Sequence, residues 1–317
     1  MSSGLRRTLF AVLAIATIFC STLTAQAADK ITVASVSWTG VTIKSEIAVS
    51  VLKSLGYKAE NKVFSVPITY TALSTGDADV FFGNWMPSMA NIANKFFESG
   101  KVIKYVANMP GAKYTLAVPT FCAEAGLKDF SDIAKFGDKL DWKIYGIEPG
   151  NDGNMIIQDM IDKNMFGLGK FKLVASSEVA MLSEVQAYAK NHKWIVFLGW
   201  APHSMNERID MTYLTGSTDE TFGGNNGTAT VWTNIRKGLE QDNPNVAKLF
   251  KNMQFPVSMM NQIMTTVHKD KSIGFTKAGL LWLKANPEMY EKWLDGVTTA
   301  DSKPGAAAFK AYLDSKV

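Results

Sequence analysis

Trp38, Trp85 and Trp200 each lie at the end of an apolar segment that is predicted to be a buried strand. The segments are 31-ITVASVSWTG-40, 80-VFFGNWMP-87 and 194-WIVFLGWAP-202. A single ring of this kind is most simply explained by packing over a core. Three rings at equivalent positions indicate a shared function, because ligands of open α/β sheets bind outside the carboxyl ends of the strands.

Aromatic rings without neighbouring acids or metal ligands suit a cation that cannot donate a hydrogen bond. A quaternary ammonium group is such a cation, and each desolvated ring face holds it with roughly 0.5–2 kcal/mol. Three or four rings would supply a large part of the ~8 kcal/mol that micromolar binding requires. The tryptophans therefore predict a binding site for a quaternary ammonium compound.

The sequence contains few residues that suit catalysis or metal binding. Its three histidines form no HExxH motif, and the chain has neither G-x-S-x-G nor a P-loop. Glu148 and Asp152 flank the turn 148-EPGNDGN-154, which leaves a secreted hydrolase as an alternative. A polar turn that caps the following helix is the simpler interpretation. We expect a protein that is not an enzyme and that uses no metal and no cofactor.

The first residues have the pattern of a secretory signal peptide. Arg6 and Arg7 precede the apolar segment 9-LFAVLAIATIF-19, and the small residues 25-AQA-27 follow it. This pattern predicts cleavage after Ala27 and a periplasmic location. Removal of the two arginines lowers the formal net charge from +4 to +2, which is too small to indicate a nucleic-acid partner.

Cys122 is the only cysteine that remains once the predicted leader, which contains Cys20, is removed. An intramolecular disulfide is then impossible, and the fold must depend on burial of an apolar core. We expect Cys122 to be a small buried thiol rather than a reactive one.

Strand and helix patterns alternate along the chain, which predicts an α/β fold with crossover helices. After the strand at 31–36, Ile43, Ile47, Val51 and Leu55 recur every four residues. They predict a helix that begins near Thr42 and is stopped by a glycine. The next strand is expected near 62-KVFSV-66.

The alternating pattern restarts after 114-YTLAVPT-120, and the chain is expected to cross back near 211-MTYLT-215. We therefore predict two lobes joined by two hinge crossings, with a ligand cleft between them. The predicted division is a leader at 1–27, lobe I at 28–117 and 216–317, and lobe II at 118–215.

Four motifs resemble one family, the OpuAC-type periplasmic substrate-binding proteins of ABC importers for choline, glycine betaine and related quaternary amines. The motifs are 37-SWTG-40, 83-GNWMP-87, 146-GIEPGNDGN-154 and 196-VFLGWAPH-203. The resemblance implies a type II periplasmic binding protein whose lobes close over the ligand by a hinge. It also implies a monomer that delivers the ligand to a membrane permease with a separate ATPase.

The resemblance further implies an aromatic box, with an asparagine that contacts the polar end of the ligand. Choline-binding members of the family commonly carry Asp two residues after the first tryptophan, whereas this chain has Gly40. Glycine betaine is therefore expected first, and choline, carnitine or trimethylamine oxide are the alternatives. The candidate ligand-binding residues are Trp38, Thr39, Gly40, Trp85, Tyr114, Asn151, Trp200 and His203.

Overall fold

The computed structural model describes residues 30–317, so the predicted leader and its cleavage after Ala27 lie outside the described residues. Within residues 30–317, nine strands form one mixed sheet. The strands are β1 Ile31–Ser35, β2 Ala59–Val63, β3 Val80–Met86, β4 Val102–Pro119, β5 Lys143–Tyr145, β6 Lys172–Val174, β7 Phe197–Ala201, β8 Met211–Tyr213 and β9 Thr228–Arg236. Their order across the sheet is β2-β1-β3-β9-β4-β7-β5-β6, and β8 pairs with β4.

Helices connect the strands and cover the sheet, and two further segments, Phe130–Phe136 and Met165–Lys170, are 3₁₀ helices. No helix within residues 30–317 has both the length and the apolar character that crossing a membrane requires. The α-helices are α1 Thr39–Ser54, α2 Val66–Thr75, α3 Ala90–Glu98, α4 Thr120–Glu124, α5 Asp152–Asp162, α6 Glu178–Lys190, α7 Met205–Arg208, α8 Gly224–Gly227, α9 Leu239–Asp242, α10 Pro244–Asn252, α11 Val257–Lys269, α12 Gly274–Ala285, α13 Pro287–Trp293 and α14 Gly305–Lys316.

Strand β4 joins two halves of the sheet. Its first part, from Val102 to Lys113, pairs antiparallel with β9, and the part from Lys113 to Ala117 pairs antiparallel with β7. We call the half-sheet β2-β1-β3-β9 with its helices lobe I, and the half-sheet β7-β5-β6 with its helices lobe II. The predicted α/β fold is confirmed. The predicted boundaries of the lobes, at 117/118 and 215/216, remain a prediction.

Helix α1 begins three residues earlier than the sequence pattern predicted. The carbonyl of Trp38 accepts the N–H of Thr42 at 3.0 Å, so the helix begins at Thr39 rather than near Thr42. Gly40 consequently lies in the first helical turn, not before it. The predicted end is confirmed, since the chain leaves the helix at Gly56 with a φ of +89°, a conformation that favours glycine.

Each lobe is stabilised internally by the burial of apolar side chains. The central strands β1 and β3 are apolar and buried, and Phe81 and Phe82 have no exposed surface. Cys122 is also fully buried and free, as expected for a thiol that acts as a small apolar side chain. The rigid strands place their carboxyl ends at the boundary between the lobes.

Candidate functional site

A cavity lies between the lobes, where the ends of β1, β3 and β7 meet the N-termini of α1 and α5. Its walls include Trp38 and Gly40 at the start of α1, Trp85 on β3, Asp152 on α5 and Trp200 on β7. Residues of both lobes line this space, with Trp38 and Gly40 from lobe I and Asp152 and Trp200 from lobe II.

The four aromatic residues proposed from the sequence all line this cavity. Trp38 is the last residue before α1, and Trp85 and Trp200 are the next-to-last residues of β3 and β7. Tyr114 lies on β4, directly opposite Trp200 in the antiparallel pairing. The structure thus brings the four rings together, and their contact with a ligand remains a prediction.

Tyr114 occupies the centre of the aromatic group. Its ring centroid lies 5.8 Å from that of Trp85 and 6.4 Å from that of Trp200, with interplanar angles of 53° and 74°. Phe222 packs edge-on against the other side of Tyr114 at 5.5 Å. Aromatic neighbours prefer such tilted arrangements, and Trp85, Tyr114 and Trp200 all line the same cavity.

Trp38 is held in place by a carboxylate from lobe II. Its indole Nε1 donates a hydrogen bond to Oε1 of Glu148 at 2.7 Å. Burial raises the pKa of Glu148, because desolvation disfavours the charged form. The bond orients the Trp38 ring across the boundary between the lobes.

Asn151 caps helix α5 and anchors Tyr114. Its Oδ1 accepts the N–H groups of Gly153 at 2.8 Å and Asn154 at 3.2 Å, and the Tyr114 hydroxyl at 3.1 Å. Its Nδ2 donates to Oδ1 of Asp152 at 3.1 Å. These bonds engage both ends of the amide, and Asn151 is not among the cavity-lining residues. Its predicted contact with the ligand remains a prediction.

Asp152 places a carboxyl group on the cavity wall at the start of α5. It is 2 % exposed, and its Oδ2 has no hydrogen-bond partner among the described residues. Burial raises the pKa of Asp152 to about 6, so the group is largely ionised at neutral pH. The sequence pattern indicated Asp152 only as a helix cap or as part of a hydrolase pair.

Thr39 and His203 meet at Glu178, a residue that the sequence analysis missed. The Thr39 hydroxyl donates to Oε1 of Glu178 at 2.5 Å, and Nε2 of His203 lies 3.2 Å from the same oxygen. Nδ1 of His203 accepts the N–H of Met205, which leaves the Nε2 proton for Glu178. Thr39 therefore links lobe I to lobe II through Glu178, which His203 contacts from within lobe II, and neither Thr39 nor His203 is among the cavity-lining residues.

Lys44 is a second residue that the sequence analysis missed, and it also lines the cavity. It lies one turn after Gly40 on α1 and is only 2 % exposed. The available signal was its position in the apolar stripe of α1, between Val41 and Ala48, where a lysine is unusual.

Comparison with known proteins gives a consistent result. The family described as the substrate-binding domain of ABC-type glycine betaine transport systems matches residues 29–285. A glycine betaine/proline betaine-binding periplasmic protein of Salmonella typhimurium is 25% identical over 281 residues, covering 77% of this chain and 82% of the relative.

Two solved structures of an ABC-transporter choline-binding protein are each 48% identical to the chain and cover 90% of it and 98% of their own length. The TM-score is 0.87 with the choline complex and 0.81 with the unliganded semi-closed form. The predicted two-lobed fold class is thereby confirmed.

The close approach of Tyr114 to α5 depends on glycine at position 153. A Cβ on Gly153 would collide with the Tyr114 hydroxyl, whereas a Cβ on Gly40, also in a first helical turn, would meet only Cε of Met264 at 3.3 Å. We expect Gly153→Ala to lower the free energy of unfolding by about 1–3 kcal/mol through overpacking. Urea unfolding measures the change.

Gly40→Ala is the matched control for this substitution. Its flexible methionine neighbour can move, and alanine favours a helix by up to about 1 kcal/mol over glycine. We expect Gly40→Ala to be neutral or stabilising. Equal unfolding midpoints for Gly153→Ala and the wild type would contradict the packing described for Tyr114.

Proposed function

Because the chain belongs to the family of substrate-binding domains of ABC-type glycine betaine transport systems, we propose that it captures glycine betaine in the cavity between its lobes. The observation that carries the proposal is that four rings, Trp38, Trp85, Tyr114 and Trp200, line one cavity between the lobes. The protein would then deliver the ligand to a membrane permease driven by a separate ATPase. It would act as a monomer in the periplasm, where its Salmonella typhimurium relative is placed.

The cationic end of the ligand is held by ring faces and by charge. Each desolvated ring supplies roughly 0.5–2 kcal/mol of attraction to a quaternary ammonium group. The carboxylate of Asp152 adds an opposite charge on the same cavity, where reduced solvation strengthens the attraction. A quaternary ammonium group carries methyl groups and no N–H donor, so it can bind to these surfaces without a hydrogen bond.

The carboxylate end of the ligand is placed at the start of α1. Gly40 and Val41 line the cavity and belong to the first turn of that helix. Their N–H groups have no intrahelical acceptor, whereas the N–H of Thr39 donates to the carboxylate of Glu178. Free N–H groups at a helix N-terminus favour an anion. Glycine betaine presents its carboxylate a short distance from its ammonium group and matches this arrangement.

Choline is the second candidate. The 48% identity to a choline-binding protein favours it, and Asp152 attracts any quaternary ammonium group. The absence of a carboxylate at Gly40, where choline-binding members of the family commonly carry Asp, favours glycine betaine instead.

A hydrolase that uses Glu148 and Asp152 is the candidate from another class. In the structure Glu148 accepts a hydrogen bond from Trp38, and Asp152 accepts one from Asn151, so both carboxyl groups have positional roles.

Calorimetry with glycine betaine, choline, carnitine, trimethylamine oxide and proline tests the proposal. We expect saturable binding of an intact ligand, recovered unchanged by mass spectrometry. Turnover of the ligand would contradict the proposal.

We expect Trp85→Ala and Trp200→Ala each to weaken glycine betaine binding at least tenfold, because each removes a desolvated ring face from the cation. The corresponding Phe variants should lose less, since they keep a ring face. Isothermal titration calorimetry measures both series. Trp142→Ala, a ring outside the cavity lining, is the control and should bind like the wild type. Wild-type affinity in both alanine variants at the box would contradict the aromatic-box assignment.

Ligand binding should favour the closed arrangement of the lobes. The described structure has hydrogen bonds across the boundary, from Trp38 to Glu148 and from Thr39 to Glu178. A ligand that contacts both lobes shifts the population toward this state. We expect small-angle X-ray scattering to give a smaller radius of gyration with saturating glycine betaine than with glycine, which lacks the methyl groups. Identical scattering profiles with the two compounds would argue against closure.

Gly40→Asp should shift the preference of the site from glycine betaine toward choline. A carboxylate at this position would repel the ligand carboxylate by on the order of 1 kcal/mol or more in a closed cavity. The neutral variant Gly40→Asn has nearly the same shape and separates the effect of charge from that of size. Calorimetry on the three proteins with both ligands measures the shift. Unchanged selectivity in Gly40→Asp, or a wild type that prefers choline, would contradict this assignment.

A further inference from the structure

Lys44 is a buried lysine on the wall of the cavity that is proposed to bind the ligand. It lies on α1 and lines the cavity together with Gly40 and Val41. With 2 % of its surface exposed, its charge cannot be solvated by bulk water. A buried charge of this kind requires a partner, because transfer of an ion out of water is strongly unfavourable.

The protein itself supplies only neutral partners to Lys44. Nζ donates a hydrogen bond to Oδ1 of Asn108 at 2.7 Å and lies 3.4 Å from the carbonyl oxygen of Phe82. The ring of Phe255 lies 5.3 Å from Nζ. None of the ion pairs found in residues 30–317 involves Lys44.

Asn108 is fixed so that its oxygen faces Lys44. Its Nδ2 donates to the carbonyl of Phe82 at 3.2 Å and to Oγ1 of Thr233 at 3.1 Å. The amide therefore orients the ammonium group but does not neutralise it. Burial without a carboxylate lowers the pKa of Lys44 to about 7.

A lysine at this position opposes the binding of a simple cation. A quaternary ammonium ligand in the box would lie in the cavity that Lys44 lines, and like charges repel most strongly where water is excluded. An apolar side chain would suit both the core and a purely cationic ligand. The charge becomes favourable only when the ligand itself carries an anion.

We propose that Lys44 determines specificity by pairing its ammonium group with the carboxylate of the ligand, beside the N–H groups of Gly40 and Val41. This inference rests on the proposed function and defines its substrate class. The ligands are zwitterions that carry a quaternary ammonium group and a carboxylate on a short linker. Lobe I supplies the cation Lys44, and lobe II supplies the anion Asp152, so the two lobes match the two ends of the ligand.

The proposal predicts opposite pH dependences for the two ligands. Glycine betaine prefers protonated Lys44, so its Kd should rise by up to tenfold per pH unit above pH 7 until the pKa of the bound state is reached. Choline prefers neutral Lys44, so its Kd should fall or stay constant over the same range.

The ionisable groups that line the cavity besides Lys44 are Asp152 and Tyr114, and Glu148 and Glu178 lie beside it through their hydrogen bonds to Trp38 and Thr39. Burial raises the pKa of Asp152 to about 6, raises that of Glu148, and raises that of Tyr114 well above its usual value. Measurements between pH 7.5 and 9.5 therefore keep Asp152 largely ionised and Tyr114 protonated. Lys44 is the cavity group whose protonation changes most in this window.

Calorimetry of Lys44→Met with both ligands tests the assignment. We expect the Kd for glycine betaine to rise at least tenfold, the Kd for choline to stay the same or fall, and the pH dependence for glycine betaine to disappear. Lys104→Met removes the same charge at an exposed position and should bind both ligands like the wild type.

The possible results separate the inference from the proposed function. If wild type binds glycine betaine and Lys44→Met binds it within twofold, the assignment of Lys44 is wrong while the proposed function stands. If wild type binds neither glycine betaine nor choline, the proposed function itself is wrong. If Lys44→Met does not fold, as judged by circular dichroism, the wild-type pH series decides. A Kd for glycine betaine that does not rise above pH 7.5 overturns the assignment.

Discussion

The hydrogen bond from the Tyr114 hydroxyl to Asn151 connects the main parts of the site. Tyr114 lies on β4, the strand shared by both halves of the sheet, and its ring stands between Trp85 of lobe I and Trp200 of lobe II. Asn151 caps α5 and thereby fixes the position of Asp152 on the cavity wall. The arrangement requires glycine at position 153, because a side chain there would displace the hydroxyl. This one hydrogen bond thus connects the position of the Tyr114 ring with that of the Asp152 carboxyl group.

The charges of the site are divided between the two lobes. Lys44 and the first turn of α1 belong to lobe I, whereas Asp152, Glu148 and Glu178 belong to lobe II. Basic and acidic groups of the site therefore come from different lobes. Under the proposed function, the ring faces would recognise the methylated end of a ligand, and the division of charge would give the site a direction.

Local sequence patterns predicted the parts of the fold and site that depend on nearby residues. An apolar strand followed by tryptophan is visible in ten residues, and so is the end of α1 at Gly56, whereas Tyr114 was assigned to the box only from the family resemblance. The start of α1 was wrong by three residues because Trp38 precedes the helix without any side-chain cap. The strand expected at 62–66 forms instead at Ala59–Val63, since this half-exposed edge segment is selected by its parallel pairing with β1. Lys44 and Glu178 acquire their roles only through contacts with residues distant in sequence, which no local pattern reveals.

Strand β9 lies between β3 and β4 in the sheet, although the chain forms it more than a hundred residues after either neighbour begins. During synthesis, which proceeds from the N-terminus, lobe I therefore lacks a central strand until residues 228–236 have been made. Until then β3 and β4 keep unpaired edges, which are surfaces prone to association with other chains. Lobe II is formed from one continuous stretch of chain between β4 and β9. Its strands β5, β6 and β7 are closer together in sequence than β3 and β9 are, so less loop closure is needed before they pair. The order of the strands in space thus makes lobe II the segment suited to fold first, with the cavity completed only when Met260 of α11, one of its lining residues, has followed.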